Sequence, residues 1–183
     1  MSTQTTQAPP DDEVAAGWLS DSEQTSWRAY LRGSRLLEEA LDRDLQRQGL
    51  QLSEYEILSM LSETPGHRLR MSEIADLVVQ SRSRLTHTAS RLEKRGWVER
   101  QACLADRRGV ELVLTCEGYT RLAEVAAVHA EGVRRLLVDV MPPAQFAALG
   151  AAMELVRDAN ASGHQDAVAA DCARADAALD ADG

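Results

Sequence analysis

The hydrophobic residues in the first part of this chain recur at the three- and four-residue spacing of amphipathic helices. Ser20 and Glu23 have the spacing of a capping box, which predicts that a helix begins there, and Gly49 is a typical helix stop. The apolar positions between them are Trp27, Tyr30, Leu31, Leu37, Leu41 and Leu45. A helix of about 28 residues is roughly 40 Å long at 1.5 Å per residue. Residues 20–49 are therefore predicted to extend beyond a single small domain.

Three shorter helices are predicted between residues 50 and 95. Ser53 and Glu56 have the spacing of a second capping box and predict the start of the first, which residues 64–66 (Thr-Pro-Gly) end. The segment MSEIADLVV predicts the second helix. The third is predicted to run from about Arg82 to Lys94, and Gly96 closes it.

The apolar period changes from 3.6 to 2 after residue 96. The alternation that ends at Leu114 predicts a β-hairpin with a strand at 97–103, a loop at 104–109 and a returning strand. Thr115 is a good N-cap for another long helix, whose apolar stripe reaches Val140. Pro142 and Pro143 break that helix, and Pro143 can occupy the first turn of the last one.

Both ends of the chain have compositions that disfavour a packed core. Residues 1–19 predict a disordered N-terminal arm, and the Ala- and Asp-rich residues 159–183 predict a frayed helix or disorder. The order of elements predicts a mainly α fold with a small β-hairpin wing. Residues 50–115 would form a winged helix-turn-helix, with its third helix at about 82–95 and its wing at about 97–114. Long terminal helices, at 20–49 and 116–158, would flank it.

The formal charge of the chain is −9, but its basic residues are clustered. Residues 67–110 contain ten Lys or Arg and five Asp or Glu, whereas the remainder contains 10 basic and 24 acidic residues. Such a cluster in an acidic protein is typical of a site for a polyanion. The alternative is a solvated face with no partner, and composition alone does not separate the two.

The helix from Arg82 favours the nucleic-acid interpretation. Leu85, Ala89 and Leu92 lie on one face and are predicted to pack inward, and the outward face from residue 82 to 92 contains no acid. An α-helix fits the major groove, where Arg84 can donate two hydrogen bonds to guanine. The candidate contacts to bases and phosphates are Ser81, Arg82, Ser83, Arg84, Thr86 and His87, followed by the phosphate-neutralising Arg91, Lys94 and Arg95.

The hairpin loop carries a second candidate contact. Arg107 and Arg108 lie at its tip, which is narrow enough to enter a minor groove and its enhanced negative potential. Asp106 can either orient one of these arginines through a bidentate ion pair or cap the turn.

These segments together resemble the MarR (multiple antibiotic resistance regulator) family of dimeric winged-helix transcription factors. The resemblance extends from about Trp27 to Val156 and rests on SEIADLV, SRSRLTHTASRLEKRGWVER, ADRRGVELVLT and LTCEGY. It implies that the helix from Arg82 is the recognition helix, that Arg108 is the minor-groove arginine and that Asp106 is the wing aspartate. Arg70 departs from the family pattern, because a threonine cap is usual at that position.

The resemblance also implies a homodimer formed through the terminal helices, 20–49 and 116–158. A single winged helix would not bury their apolar stripes. The candidate interface residues are Trp27, Tyr30, Leu31, Leu136, Leu137, Phe146, Leu149 and Met153.

The function predicted is that of a homodimeric, sequence-specific transcriptional regulator. We expect a repressor that binds a short inverted repeat (a palindromic operator) and is released by a small-molecule ligand. Two alternatives stay open: a non-specific architectural DNA-binding protein, and a thiol-based redox sensor that uses Cys103 or Cys116. An enzyme is not expected, because no nucleophile–base pair or glycine-rich phosphate loop is present.

Other features set the remaining expectations. Trp18, Trp27 and His129 could line a ligand crevice; alternatively, Trp27 belongs to the dimer core and His129 is a satisfied interface residue. The four histidines and three cysteines lack metal-ligand spacing, so neither a metal nor a cofactor is expected. No apolar run approaches the roughly 20 residues of a membrane span, and the N-terminus does not resemble a secretory signal. We therefore expect a cytoplasmic protein.

Overall fold

The computed structural model describes residues 18–78, 82–103 and 109–160, except for the side chain of Arg82. This part of the chain contains six α-helices and one three-stranded sheet. The helices are α1 (Asp21–Gln46), α2 (Leu52–Glu63), α3 (Met71–Leu77), α4 (Arg82–Lys94), α5 (Cys116–Val133) and α6 (Pro143–Asn160). The strands are β1 (Arg68–Arg70), β2 (Val98–Ala102) and β3 (Val110–Leu114). The mainly α fold with a small β wing is confirmed.

Helix α1 begins at the capping box that the sequence predicts. The Glu23 backbone N–H donates to Ser20 Oγ at 3.3 Å, and the Ser20 N–H donates to the Glu23 carboxylate at 2.7 Å. The helix is 26 residues long, and three residues beyond it Gly49 has φ +76°, a conformation that glycine adopts without strain.

The predicted capping box at Ser53 and Glu56 is wrong. Helix α2 begins at Leu52, and Glu54 accepts the backbone N–H of Gln51 at 3.0 Å. The reason lies in α1, because Asp42 accepts the backbone N–H of Leu52 at 2.8 Å and fixes the point where the chain enters the new helix. Ser53 is consequently already inside the first turn.

The sheet contains one strand more than the predicted hairpin. Its order is β1-β3-β2, and both pairs are antiparallel. Strand β1 is only three residues long, too short for an alternating pattern to predict it, and it places Leu69 opposite Leu112. This third strand joins the wing to the segment that follows α2.

The core lies between the sheet and helices α1 to α5. Helix α4 contributes the three apolar residues predicted to face inward, and α5 joins the core through Leu122 and Val125. The most deeply buried large side chains include Leu45, Leu50, Ile57, Leu58, Leu61, Ile74, Leu85, Leu92 and Leu112. The winged helix and the end of the α1 arm therefore share one core.

The first turn of α5 packs directly on the chain that leaves α4. As predicted, Thr115 is its N-cap: Thr115 Oγ1 accepts the Gly118 N–H at 3.0 Å and donates to the Gly96 carbonyl at 2.7 Å. A Cβ at Gly118 would collide with the carbonyl oxygen of Trp97 and lie 2.9 Å from Leu114 Cδ1. Glycine is required here because the two backbones touch.

The described residues 134–160 belong to a second compact unit. The predicted long helix after Thr115 is observed, but its α-helical part ends at Val133 and a π-helical turn follows at Arg134–Val138, so it stops short of Val140. Within this unit Pro143 opens α6, as predicted.

In the described parts of the chain, no single helix is long and apolar enough to cross a membrane; one bent pair of helices meets the criterion by length and composition only.

Candidate nucleic-acid interface

Helix α4 separates its apolar and polar residues onto two faces. Leu85, Ala89 and Leu92 are buried, and so is Thr88, whose hydroxyl donates to the Arg84 carbonyl at 3.1 Å. The exposed candidates for DNA contact are Ser83, Arg84, Thr86, His87, Lys94 and Arg95. The described outward face of this helix therefore presents hydroxyl, imidazole and cationic groups.

Several predicted contacts lie outside the described residues. These are Ser81 at the start of α4 and the wing residues Asp106, Arg107 and Arg108. Arg82 is within α4, but its side chain is not described.

Two predicted phosphate contacts, Arg91 and Arg95, have partners within the protein. Arg91 Nε donates to Glu54 Oε1 at 3.0 Å, and Arg91 Nη2 donates to Gln51 Oε1 at 2.6 Å. Arg95 Nη1 donates to the Gly49 carbonyl at 2.8 Å and lies 3.6 Å from Glu54 Oε2. Both arginines therefore connect α4 to the corner between α1 and α2.

The corner between α1 and α2 is held by a second arginine cluster. The guanidinium carbon of Arg95 lies 4.8 Å from the centroid of the Trp97 ring, and that of Arg121 lies 5.9 Å from it. Arg121 Nη2 also donates to the Gln48 carbonyl. The C-terminal end of α4, the start of α5 and the end of α1 thus meet around one indole ring.

Arg100 is a functional candidate whose role the sequence does not indicate. It lies on β2, and its Nη2 donates to the Thr86 carbonyl at 3.1 Å and to Ser90 Oγ at 3.0 Å. Its Nη1 pairs with Glu93. The wing strand is therefore bonded along the length of α4. In the sequence, only the position of Arg100 two residues into β2 could have indicated this role, because its partners lie on another element.

A polar cavity of about 640 Å³ lies beside the same helix. Its lining residues are Arg35, Glu38, Glu39, Asp42, Gln51, Leu52, Ser53, Glu56, Val78 and Arg84. Burial raises the pKa of Glu56, the nearby carboxylate of Glu38 raises it further, and the Arg84 guanidinium lowers it. Arg84 therefore interacts electrostatically with this cleft as well as lying on the outward face of α4.

The three residues predicted to line a ligand crevice lie elsewhere. The His129 ring lies 4.2 Å from that of Tyr55, and among the described residues His129 Nδ1 is buried without a hydrogen-bond partner. Burial lowers the pKa of His129. Trp18 and Trp27 are exposed, and Trp27 stacks on Tyr30 at 5.8 Å. These three side chains are not among those that line the cleft.

The cysteines and acidic residues form no metal site in the described regions. Cys103 is buried and Cys116 is exposed, and both are free thiols. Within these regions, no group of three His, Cys, Asp or Glu side chains could hold a metal ion.

The fold and the helix α4 surface define a winged helix-turn-helix regulator, and comparison with known proteins supports this class. The model of the MarR family matches residues 50–110. The regulator Sco3205 of Streptomyces coelicolor, solved in complex with DNA, is 43% identical with a TM-score of 0.74, over 78% of this chain and 89% of that one. AbsC from the same organism is 42% identical with a TM-score of 0.72, over 77% of this chain and 95% of that one.

Curated relatives match over a shorter length. The regulator PecS of Dickeya dadantii is 33% identical over 107 residues, which is 58% of this chain and 64% of PecS. The repressor MprA of Escherichia coli is 37% identical over 92 residues, which is 50% of this chain and 52% of MprA. The match thus spans less than two thirds of each of these relatives. This chain belongs to the MarR family of transcriptional regulators.

Proposed function

We propose that the protein is a homodimeric repressor that binds DNA in a sequence-specific way by placing α4 in the major groove. The observation that carries this proposal is the outward face of α4, where exposed Ser83, Arg84 and His87 are accompanied by no acid between residues 82 and 92. Arg84 would read a base edge, and Lys94 would contact a phosphate. The DNA complex of the 43% identical Sco3205 supports the proposal.

The wing is proposed to add a minor-groove contact. Arg107 and Arg108 would enter the groove, and Asp106 would orient one of them or cap the turn. The proposal rests on the DRR segment and the family to which the chain belongs. It is independent of the contacts proposed for α4.

A homodimer is supported by apolar side chains that each compact unit leaves exposed. In the first unit Trp27 is 47% exposed and Tyr30 is 45% exposed; in the second, Phe146 and Met153 are also exposed. Exposed apolar groups of this size favour burial against another molecule. Leu31, Leu136, Leu137 and Leu149 are half-buried and would complete the interface. Two-fold symmetry would place two recognition helices roughly 34–36 Å apart on an inverted repeat.

The cleft beside α1 is proposed as the effector site. Its lining contains four carboxylates and two guanidinium groups, so it favours a neutral or cationic molecule over an anion. A molecule that contacts Glu56 would compete with Arg84, whose charge acts on that carboxylate. Effector binding would in this way alter a side chain that contacts DNA.

Selection of duplexes from a randomised pool tests the DNA-binding proposal. A sequence-specific dimer should enrich an inverted repeat and keep the selected duplex in an electrophoretic shift against excess unrelated DNA. An architectural protein would enrich no consensus, and unrelated DNA would compete equally.

The redox alternative is tested by adding peroxide to the bound complex. We expect no release, because Cys103 is buried and therefore shielded from peroxide. Release that Cys103→Ser or Cys116→Ser abolishes would instead establish a thiol sensor.

A further inference from the structure

Glu54 is a carboxylate that α2 holds entirely away from solvent. The residue is 0% exposed, although it lies in the first turn of a helix on a small domain. Both of its oxygens have partners: Oε1 accepts from Arg91 Nε at 3.0 Å, and Oε2 accepts from the Gln51 backbone N–H at 3.0 Å. A buried charge is stable only when it is paired in this way, so Glu54 requires the arginines of α4.

Arg91 is fixed at several points by the same corner of the molecule. In addition to Glu54 it donates to Gln51 Oε1 at 2.6 Å, and its Nη2 lies 3.5 Å from Thr88 Oγ1. Arg95, one turn later, is held by the Gly49 carbonyl and by the second oxygen of Glu54. The guanidinium groups therefore point from α4 back toward the start of α2.

This pairing changes what the two arginines contribute to DNA binding. A cation whose charge is already compensated by a buried carboxylate releases fewer counterions from DNA. Lys94, which lies between them in sequence, is exposed and serves as the natural comparison. Lys94 is therefore expected to contact a phosphate, whereas Arg91 and Arg95 are expected to have a different role.

We propose that Glu54 is a positioning residue for DNA recognition. Through Arg91 and Arg95 it sets the orientation in which α4 is presented to the major groove, and the two arginines act as attachments of the helix rather than as phosphate contacts. This inference rests on the proposed DNA-binding function. It assigns a role to a residue that never touches DNA.

The salt dependence of binding separates the two roles. The dissociation constants of the full-length protein are measured between about 50 and 200 mM salt for a duplex that the wild type selects and for an unrelated duplex of equal length. Lys94→Ala should reduce the slope of log affinity against log salt by about one and weaken both duplexes alike. Arg91→Ala should leave the slope unchanged and weaken the selected duplex about tenfold more than the unrelated one, the size of one lost base contact. Identical behaviour of the two variants would overturn the inference.

A double-mutant cycle tests the pair itself. If Arg91 acts through Glu54, then Glu54→Gln combined with Arg91→Gln should lose no more discrimination than Glu54→Gln alone. Losses that multiply would show that the two residues act separately and would contradict the proposal.

A milder variant keeps the test informative if changes at Glu54 prevent folding. Gln51→Ala removes one hydrogen bond of Arg91 and leaves the buried ion pair in place, so it should reduce discrimination a few-fold at unchanged slope. Unchanged discrimination in both Gln51→Ala and Arg91→Ala would exclude a positioning role. A wild-type protein that selects no sequence would refute the proposed function instead, so the two failures are distinguishable.

Discussion

Arg84 is exposed on α4 and also lines the cleft beside α1, where its charge opposes the effects of burial and of Glu38 on the pKa of Glu56. A side chain in this position can exchange between a carboxylate of the protein and a base edge of DNA. Occupancy of the cleft would therefore affect how Arg84 recognises a base.

Arg84→Ala is expected to relax the choice of sequence. Loss of a bidentate base contact costs about 1–3 kcal/mol at a single base pair and leaves discrimination elsewhere intact. Affinities measured for the selected duplex and its single-base variants give the position of the effect. Ser83→Ala, on the adjacent exposed position, is the comparison for a shorter contact. A uniform loss across all base pairs would assign Arg84 to the phosphates.

His129 is expected to make stability depend on pH. Because burial lowers its pKa from an ordinary value of 6.5, the folded state binds fewer protons than the unfolded state. The contribution of neutral His129 to the free energy of unfolding is therefore complete above pH 6.5, and it is lost as the pH falls through the lowered pKa. His129→Phe retains an aromatic contact with Tyr55 and should reduce the difference between melting temperatures at about pH 8 and about pH 5. The exposed His87→Gln should leave that difference as in the wild type, and an equal effect of both changes would contradict the role of His129.

At the scale of the elements, local sequence signals predicted most of the fold. The capping box of α1 and the N-cap Thr115 depend on residues within one turn of each other, and the inward face of α4 follows from the helical period; all three are observed. The start of α2 was missed because Asp42, ten residues earlier, determines it. Strand β1 exists only through its pairing with β3, which no pattern in three residues can reveal.

The candidate site was predictable to a similar extent. Helical periodicity identified the exposed side chains of α4, because exposure follows from position on the helix. The roles of Arg91 and Arg100 could not be read in the same way. Their partners lie 37 residues before Arg91 and, for Arg100, on a different element, so only the folded structure brings them together.

Gly118→Ala is expected to destabilise the docking of α5. The added methyl group would meet the backbone of Trp97 and the side chain of Leu114, neither of which can retreat without moving the sheet. Overpacking of this kind costs about 1–3 kcal/mol or more, which lowers the melting temperature by at least several degrees for a chain of this size.

Gly33→Ala is the matched control within α1. No described atom lies within 4 Å of its added Cβ, and alanine favours a helix by up to about 1 kcal/mol over glycine. Its melting temperature should be equal to that of the wild type or higher. A comparable loss of stability in both variants would show that the close approach at Gly118 is not responsible.

At the scale of the whole molecule, the proposed dimer connects function to concentration. Light scattering of the wild type should give twice the 20.0 kDa mass of one chain, and its melting temperature should rise with protein concentration. Trp27→Glu places a charge on the exposed apolar face of α1 and should shift the mass toward the monomer and reduce affinity for the inverted repeat.

Ala29→Glu adds the same charge two positions away, on the other side of α1. It should leave the mass and the affinity close to those of the wild type. A monomeric wild type at micromolar concentration, or equal effects of the two substitutions, would contradict a dimer formed through the terminal helices.

The bonds from Arg100 to α4 have a consequence for which duplexes the protein accepts. Since Arg100 joins β2 to Thr86, Ser90 and Glu93 on successive turns of α4, the base of the wing keeps a constant separation from the helix. Because this distance in the protein is fixed, the duplex must adapt its helical twist to bring its grooves to the helix and the wing. Base pairs that no side chain touches, between the helix and the wing, would therefore influence affinity through the ease with which they over- or underwind.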